Sequence, residues 1–242
     1  MPRSAVSALV PNRRPRRSLT RELILDGAVA LIEAEGPGAL SMRRLGSTLG
    51  VEGMAIYHHF ESRDELLSAI GDRLLEPLHH LELGGDWPEA CRRFALALRG
   101  LAVARPATFQ LLGLQPFNTP DALRPVERLL AVLIDCGFDP AAALAIYRAT
   151  VSYARGYALA EATGFTVDAA LSAGRRRLAE LPRREFPILR GKARELGALG
   201  ADDAYELGLE ALLSGFGAPS RVKRGGRKTF KLKRPIPGRV RS

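Results

Sequence analysis

Apolar residues recur at three- and four-residue intervals along almost the whole chain. Leu23, Ile24, Ala28, Leu31 and Ile32 fall on one side of a helix that Thr20 is placed to cap, with Leu19 able to staple onto Ile24. Gly36-Pro37 stops that helix, and a second runs from Ser41 to Leu49 with Leu40 placed against Leu45. Gly50 permits a sharp turn, Val51 tucks inward, and a third helix covers about 53–59. Ser62 and Glu65 have capping-box spacing and open a fourth helix, 62 to about 82, through Leu66, Leu67, Ile70, Leu74 and Leu75, which Pro77 kinks or ends. After Gly84-Gly85, helical segments are predicted near 87–104, 106–113, 120–136, 139–162, 167–180, 185–197 and 202–216, separated by Pro, Gly or Asp. No stretch alternates as a strand. The pattern predicts an all-α fold, with an N-terminal three-helix helix-turn-helix module at 19–75 and a larger helical bundle at 76–218.

Charge adds two flanks to this picture. The net charge is +10. Residues 1–21 carry six arginines and no acid, and 219–242 carry ten Lys or Arg and no acid; the remaining 22–218 hold 20 bases against 26 acids. The body is therefore mildly acidic between a basic arm at 1–18 and a basic tail at 219–242, both predicted to be disordered and attracted to polyanions. The arm is able to lie along phosphates or in a minor groove; the tail either adds nonspecific DNA affinity or is inert. No secretory signal follows the N-terminal arginines, and charges interrupt every apolar run, so no membrane association is expected. Cys91 and Cys136 lie far apart in apolar helical patterns and read as reduced buried thiols of a cytoplasmic protein.

The segment 43–66, RRLGSTLGVEGMAIYHHFESRDEL, carries the candidate chemistry. Leu45, Leu49, Val51 and Ile56 are placed to pin two short helices across the Gly50 turn. The outward face of the second then shows Gly53, Met54, Tyr57 and His58 and no acid, although residues 22–75 hold nine acids and four bases. An acid-free helix flanked by Arg43 and Arg63 suits a DNA major groove. Adjacent His58 and His59 point about 100° apart and have no third ligand nearby, which argues against a metal. No phosphate loop, nucleophile elbow or paired catalytic carboxylates are present, so neither an enzyme nor a cofactor is predicted.

The runs Leu19-Thr20-Arg21-Glu22, Leu40 to Leu45, Leu49-Gly50-Val51, Ile56 to Phe60 and Arg63 to Leu67 resemble the tetracycline-repressor (TetR) family over about 57 of the 242 residues. Ala204 to Gly215 is more weakly similar to that family's last helix. The resemblance implies a homodimeric, all-α, ligand-responsive transcription factor, usually a repressor, whose dimer bundle would be formed by 139–162 and 202–216. It assigns Arg43, Tyr57 and His59 to base or backbone contacts and Arg63 to a phosphate. Gly53, Met54 and Ala55 stand where tetracycline-class members carry Gln, Pro and Thr, so readout would lean on apolar contact, on Arg43 and on DNA shape. His79 falls where those members place a ligand-contacting histidine, but no histidine follows His80, so their metal-bound ligand is not implied.

The partners expected are a double-stranded DNA operator, a second copy of the chain and an unidentified small-molecule effector. His79, Phe94, Leu98, Phe109, Leu112, Phe117 and Tyr147 are the candidate pocket residues, with Trp87 and Tyr153 also able to enclose it; each one singly also fits an ordinary core. Arg148 and Arg155 read as a solvated edge, or as partners of acids across a dimer or of an anionic ligand. Two other readings remain open: an all-α small-molecule-binding protein or enzyme without sequence-specific DNA binding, and a nonspecific DNA binder that relies on its tails.

Overall fold

Polar side chains set where most of the helices begin. The computed structural model describes residues 18–112, 119–163, 180–192, 195 and 200–219, which contain helices and turns but no strand. The helices are α1 (Arg21–Glu35), α2 (Met42–Leu49), α3 (Gly53–Tyr57), α4 (Arg63–His79), α5 (Trp87–Ala104), α6 (Pro106–Leu112), α7 (Pro120–Asp135), α8 (Pro140–Ala162), α9 (Pro187–Gly191) and α10 (Ala201–Ser214). Thr20, Ser41 and Ser62 accept from the third amide of α1, α2 and α4, and Asp86, Thr119 and Asp139 do the same work for α5, α7 and α8. Each cap satisfies a donor that a helix start leaves free.

Two helices end or run differently from the sequence pattern. α3 stops at Tyr57 rather than 59, because the His59 amide turns back to the Ile56 carbonyl at 2.9 Å and His58 becomes the cap. Among the described residues, the segment predicted at 185–197 is helical over Pro187–Gly191 and at Glu195, with a bend at Lys192 between them, and the one at 167–180 lies outside them apart from Glu180.

The first three helices close around Ile24, Ala28, Ile32, Leu45 and Ile56, with Phe60, Leu66 and Ile70 completing the small core. α4 contributes its first half to that core and its second half, through Leu74, Leu75 and Leu78, to the bundle. Pro77 sits inside α4 without ending it. The boundary expected at 75/76 thus falls within one continuous helix.

In the bundle α5 packs along α8, with α7 filling the space toward α4. α10 is fastened to this pair by tyrosines. The Tyr205 hydroxyl donates to the Ala95 carbonyl at 2.8 Å, Tyr153 donates to the Tyr205 carbonyl at 2.8 Å, and Tyr157 donates to the Ala201 carbonyl at 3.0 Å. Gly208 makes room for this seam, since a β-carbon there would stand 2.2 Å from the Tyr153 hydroxyl. Arg99 lies 4.7 Å above the Tyr205 ring and grips Glu161 at 2.6 Å and Asp202 at 2.7 Å. With Arg99 and Glu161 side chains only 12% and 19% exposed, that pair is sheltered from the screening that weakens surface ion pairs. No helix among the described residues is long and apolar enough to cross a membrane.

Tyr205→Phe removes a buried hydrogen bond and leaves the ring in place, so urea denaturation should show a loss of about 1–2 kcal/mol. Cys91 is fully buried, and that burial pushes its thiol up to about 11. A thiol reagent at pH 7.5 should therefore leave Cys91 unlabelled in the folded chain and label it on unfolding.

Candidate nucleic-acid interface and ligand cavity

The α2–α3 corner is shaped by three glycines. Gly50 takes the left-handed conformation at φ 69°, and the amides of Gly50 and Val51 return to the carbonyls of Ser47 and Gly46 in a Schellman arrangement. Gly46 is the point of closest approach: a β-carbon there would stand 2.9 Å from the Gly53 nitrogen and the Val51 oxygen. Gly53 returns the contact, its missing β-carbon lying 3.3 Å from the Met42 carbonyl oxygen. Gly53 therefore faces α2, which corrects its expected place on the outward surface. Gly46 went unread in the sequence. A glycine inside a helix costs roughly 1 kcal/mol relative to alanine, and that cost was the available signal that a close contact required it.

With Leu45 and Ile56 fully buried beneath, α3 turns Met54, Tyr57 and His58 to solvent. Met54 is 67% exposed and Tyr57 43%, unusual for a large apolar and an aromatic side chain on so short a helix. Ala55 and His59 are half-buried.

The arginines around this face divide by what they touch. Arg44 is engaged inside the module, donating through Nε and Nη2 to the two carboxylate oxygens of Glu35 and holding that carboxyl below the usual range. Arg43, one residue earlier, is exposed. Arg63 donates from Nε to the Leu40 carbonyl at 3.4 Å, which draws it across the mouth of α2. Arg21 falls in the basic flank and in the Leu19–Glu22 run of the sequence, which give it no role of its own. It donates to the His59 carbonyl at 2.5 Å and to Glu65 at 2.9 Å, with its guanidinium 4.0 Å above the Phe60 ring. Arg21 thus clamps the end of α3 to the start of α4. The Glu65 carboxyl is held low, first by the Glu61 amide and then by Arg21.

A cavity of about 280 Å³ opens between α4, α5, α7 and α8. Phe94, Leu98 and Tyr147 line it as expected, and so do Leu75 and Leu78 of α4. Arg148 and Arg155 line it too; Arg155 is half-buried rather than part of a solvated edge, whereas Arg148 is exposed, as that reading expects. His79 does not: its Nε2 donates to the Asp121 carbonyl at 2.9 Å at a surface cleft between α4 and α7. Phe109 is 2% exposed and packed in the core of α6, away from the cavity. Trp87 stacks edge-on against Phe138 at 5.1 Å, and Tyr153 belongs to the α8–α10 seam. Helical spacing alone could not separate these walls from core. The Leu112 side chain and Phe117 lie outside the described residues. No cluster of three or more His, Cys, Asp or Glu able to hold a metal occurs among the described residues.

Residues 24–70 match the family model for bacterial regulatory proteins of the tetR family, and residues 81–219 match that for the tetracyclin repressor-like C-terminal domain. The chain belongs to the TetR family. Among curated TetR-family relatives, it is 32% identical over 133 residues to the HTH-type transcriptional repressor DrrR1 of Streptomyces coeruleorubidus, a match covering 54% of this chain and 49% of that one. The chain thus spans about half the length of that relative. It is 25% identical over 211 residues to the class E tetracycline repressor protein of Escherichia coli, covering 83% and 92%. In structure it is similar to ActR of Streptomyces coelicolor in complex with actinorhodin, with a TM-score of 0.69 at 26% identity over 85% of this chain and 100% of that chain. Apo ActR gives 0.66 at 27% identity over 82% and 94%.

The corner geometry sets a pair of opposite outcomes for this TetR-family chain. Gly46→Ala forces the backbones of α2 and α3 apart and should lower stability by about 1–3 kcal/mol in thermal melts. Gly100→Ala, exposed in α5 with nothing within 4 Å of the new atom, should raise it by about 0.5–1 kcal/mol.

Proposed function

We propose that the chain is a cytoplasmic homodimeric repressor that lays α3 in the major groove of each half of a palindromic operator. One observation carries this reading: Met54, Tyr57 and His58 are held outward on α3 between Arg43 and Arg63, on a module of the tetR family. Tyr57, His58 and His59 supply polar contacts to bases or backbone, Met54 and Ala55 supply apolar contact, and Arg43 and Arg63 meet phosphates. Gly53 serves by letting α3 sit close to α2 rather than by touching DNA. The repressor name of DrrR1 and the family match support the same role.

Release follows from α4. Leu66 and Ile70 of that helix anchor the module, while Leu75 and Leu78 form a wall of the cavity. A ligand filling the cavity and preferring a different tilt of α4 changes the separation of the two α3 helices from the roughly 34–36 Å that successive grooves demand. The shift is limited by the ligand's differential affinity for the two tilts. That the ActR structure holds actinorhodin supports a ligand in a fold of this kind.

The test is a gel shift on DNA upstream of the chain's own gene, with heparin as competitor. Tyr57→Ala combined with Arg43→Ala should weaken the shift at least about tenfold, while light scattering still reports a dimer. Undiminished binding by that variant, or no shift by the parent chain at modest salt, refutes the reading.

A further inference from the structure

A groove of about 480 Å³ runs between the start of α5 and one face of α10. Its floor is apolar, built from the buried side chains of Trp87, Leu209 and Leu213. Its rim is acidic, with Asp86, Glu89, Glu206 and Glu210 set against one base, Arg92. Arg92 is already held by Glu206 at 2.9 Å, and Glu89 is held by Arg93 at 2.8 Å. Asp86 and Glu210 are exposed and form no ion pair among the described residues. The chain leaves α10 along this same groove. Gly217, in the left-handed region at φ 71°, is part of its wall. Pro219 lies 3.7 Å from where a β-carbon on Gly137 would stand, and the neighbouring Phe138 packs on Trp87 at 5.1 Å. Residues 220–242, which follow, carry ten Lys or Arg and no acid, with Val222, Phe230 and Leu232 among them.

We propose that this groove is the docking site of the chain's own basic tail, which occupies it when no nucleic acid is present and gives it up to DNA. Charge is complementary: an acidic rim with two carboxylates free of ion pairs faces a segment that holds only cations. The apolar floor has a counterpart too, since Phe230 and Leu232 alternate with Lys231 and Lys233, so an extended segment presents rings and methyls on one side and ammonium groups on the other. Phe230 is thirteen residues beyond Gly217, a span of up to about 45 Å when extended, and the Gly225-Gly226 pair permits the chain to turn back. Each exposed ion pair is worth little by itself. Tethering raises the local concentration of the tail to about the millimolar range, so several weak pairs are enough, and salt releases them. The groove uses the side of α10 that carries Glu206, Leu209, Glu210 and Leu213; Leu207 and Ala211, exposed on another side, are left for the proposed dimer. A duplex, with its dense row of phosphates, draws the tail away, and the work of undocking is subtracted from nonspecific affinity. The inference is independent of how α3 reads an operator.

Four of the five lysines of the chain, Lys223, Lys228, Lys231 and Lys233, lie in the tail, which suits zero-length carbodiimide coupling of the full chain at low salt, read by mass spectrometry. Tail lysines should couple to Asp86, Glu89, Glu206 and Glu210 at least about fivefold more than to the exposed acids Glu127 and Glu185, within a product that runs as a single chain. Excess duplex of unrelated sequence should reduce the groove products at least about threefold. Asp86→Asn with Glu210→Gln removes two charges and keeps a good cap on α5. That variant should lose most of the coupling to Glu89 and Glu206 and bind the unrelated duplex about threefold or more tightly than the charge-matched control Glu127→Gln with Glu185→Gln, in fluorescence anisotropy. Thermal melts check the fold, and Glu210→Gln alone replaces the pair if the Asp86 variant unfolds. Coupling spread evenly over exposed acids, groove products found only between chains or undiminished by duplex, or a groove variant that binds duplex no better than its control overturns the proposal.

Discussion

The orientation of the small module on the bundle depends on one carboxylate. α6 starts at Pro106, and Glu33 of α1 supplies an acceptor for its first amides. Its oxygens take the Ala107 amide at 3.3 Å, the Thr108 amide at 2.8 Å and the Thr108 hydroxyl at 2.6 Å. Thr108 is 1% exposed, so its amide and hydroxyl have no recourse to water, and a shift of α1 would leave them unsatisfied. A helix N-terminus is also the end that attracts negative charge. Together with α4, which belongs to both cores, this contact gives the module two attachments rather than one. A single attachment would let it swivel; two define a hinge line.

That arrangement makes the cavity mechanically relevant. Leu75 and Leu78 face it from a helix whose other end is locked into the module by Ser62, Glu65 and the Arg21 clamp. The far side of the bundle is stiff, because α10 is tied to α5 and α8 by three tyrosine hydroxyls and the sheltered Arg99–Glu161 pair. Pressure from a ligand therefore meets one wall that is braced and one that is a lever. On the proposed reading, displacement goes into α4.

What could be read from the sequence was local. Thr20, Ser41, Ser62, Asp86 and Asp139 announce helix starts through bonds spanning two or three residues, and their neighbours in sequence are enough to see them. The outward placement of Met54 and Tyr57 followed from the helical period. What escaped was long-range. Arg21 meets its partners 38 and 44 residues away, Tyr205 reaches Ala95 across 110, and Glu33 caps a helix some 75 residues on. No periodicity encodes such meetings. The pocket residues failed for a related reason. Phe109 and Phe94 share the same spacing signal, and only the angle at which α5 and α6 cross the other helices decides which of them borders empty space.

The pairing of Arg44 with Glu35 has a consequence for ions. Of the five arginines between residues 21 and 75, Arg21, Arg44 and Arg73 are bound to the module's own acids, which leaves Arg43 and Arg63 on the proposed groove-facing side. Two phosphate contacts per module, four per dimer, would displace few condensed counterions, and the logarithm of affinity would fall with the logarithm of salt at a slope of only about −4. Any steeper dependence has to come from the sixteen basic residues in 1–21 and 219–242, less the one already engaged at Arg21. On the proposed reading, attraction to the polyelectrolyte and discrimination among its sequences would be carried by different parts of the chain.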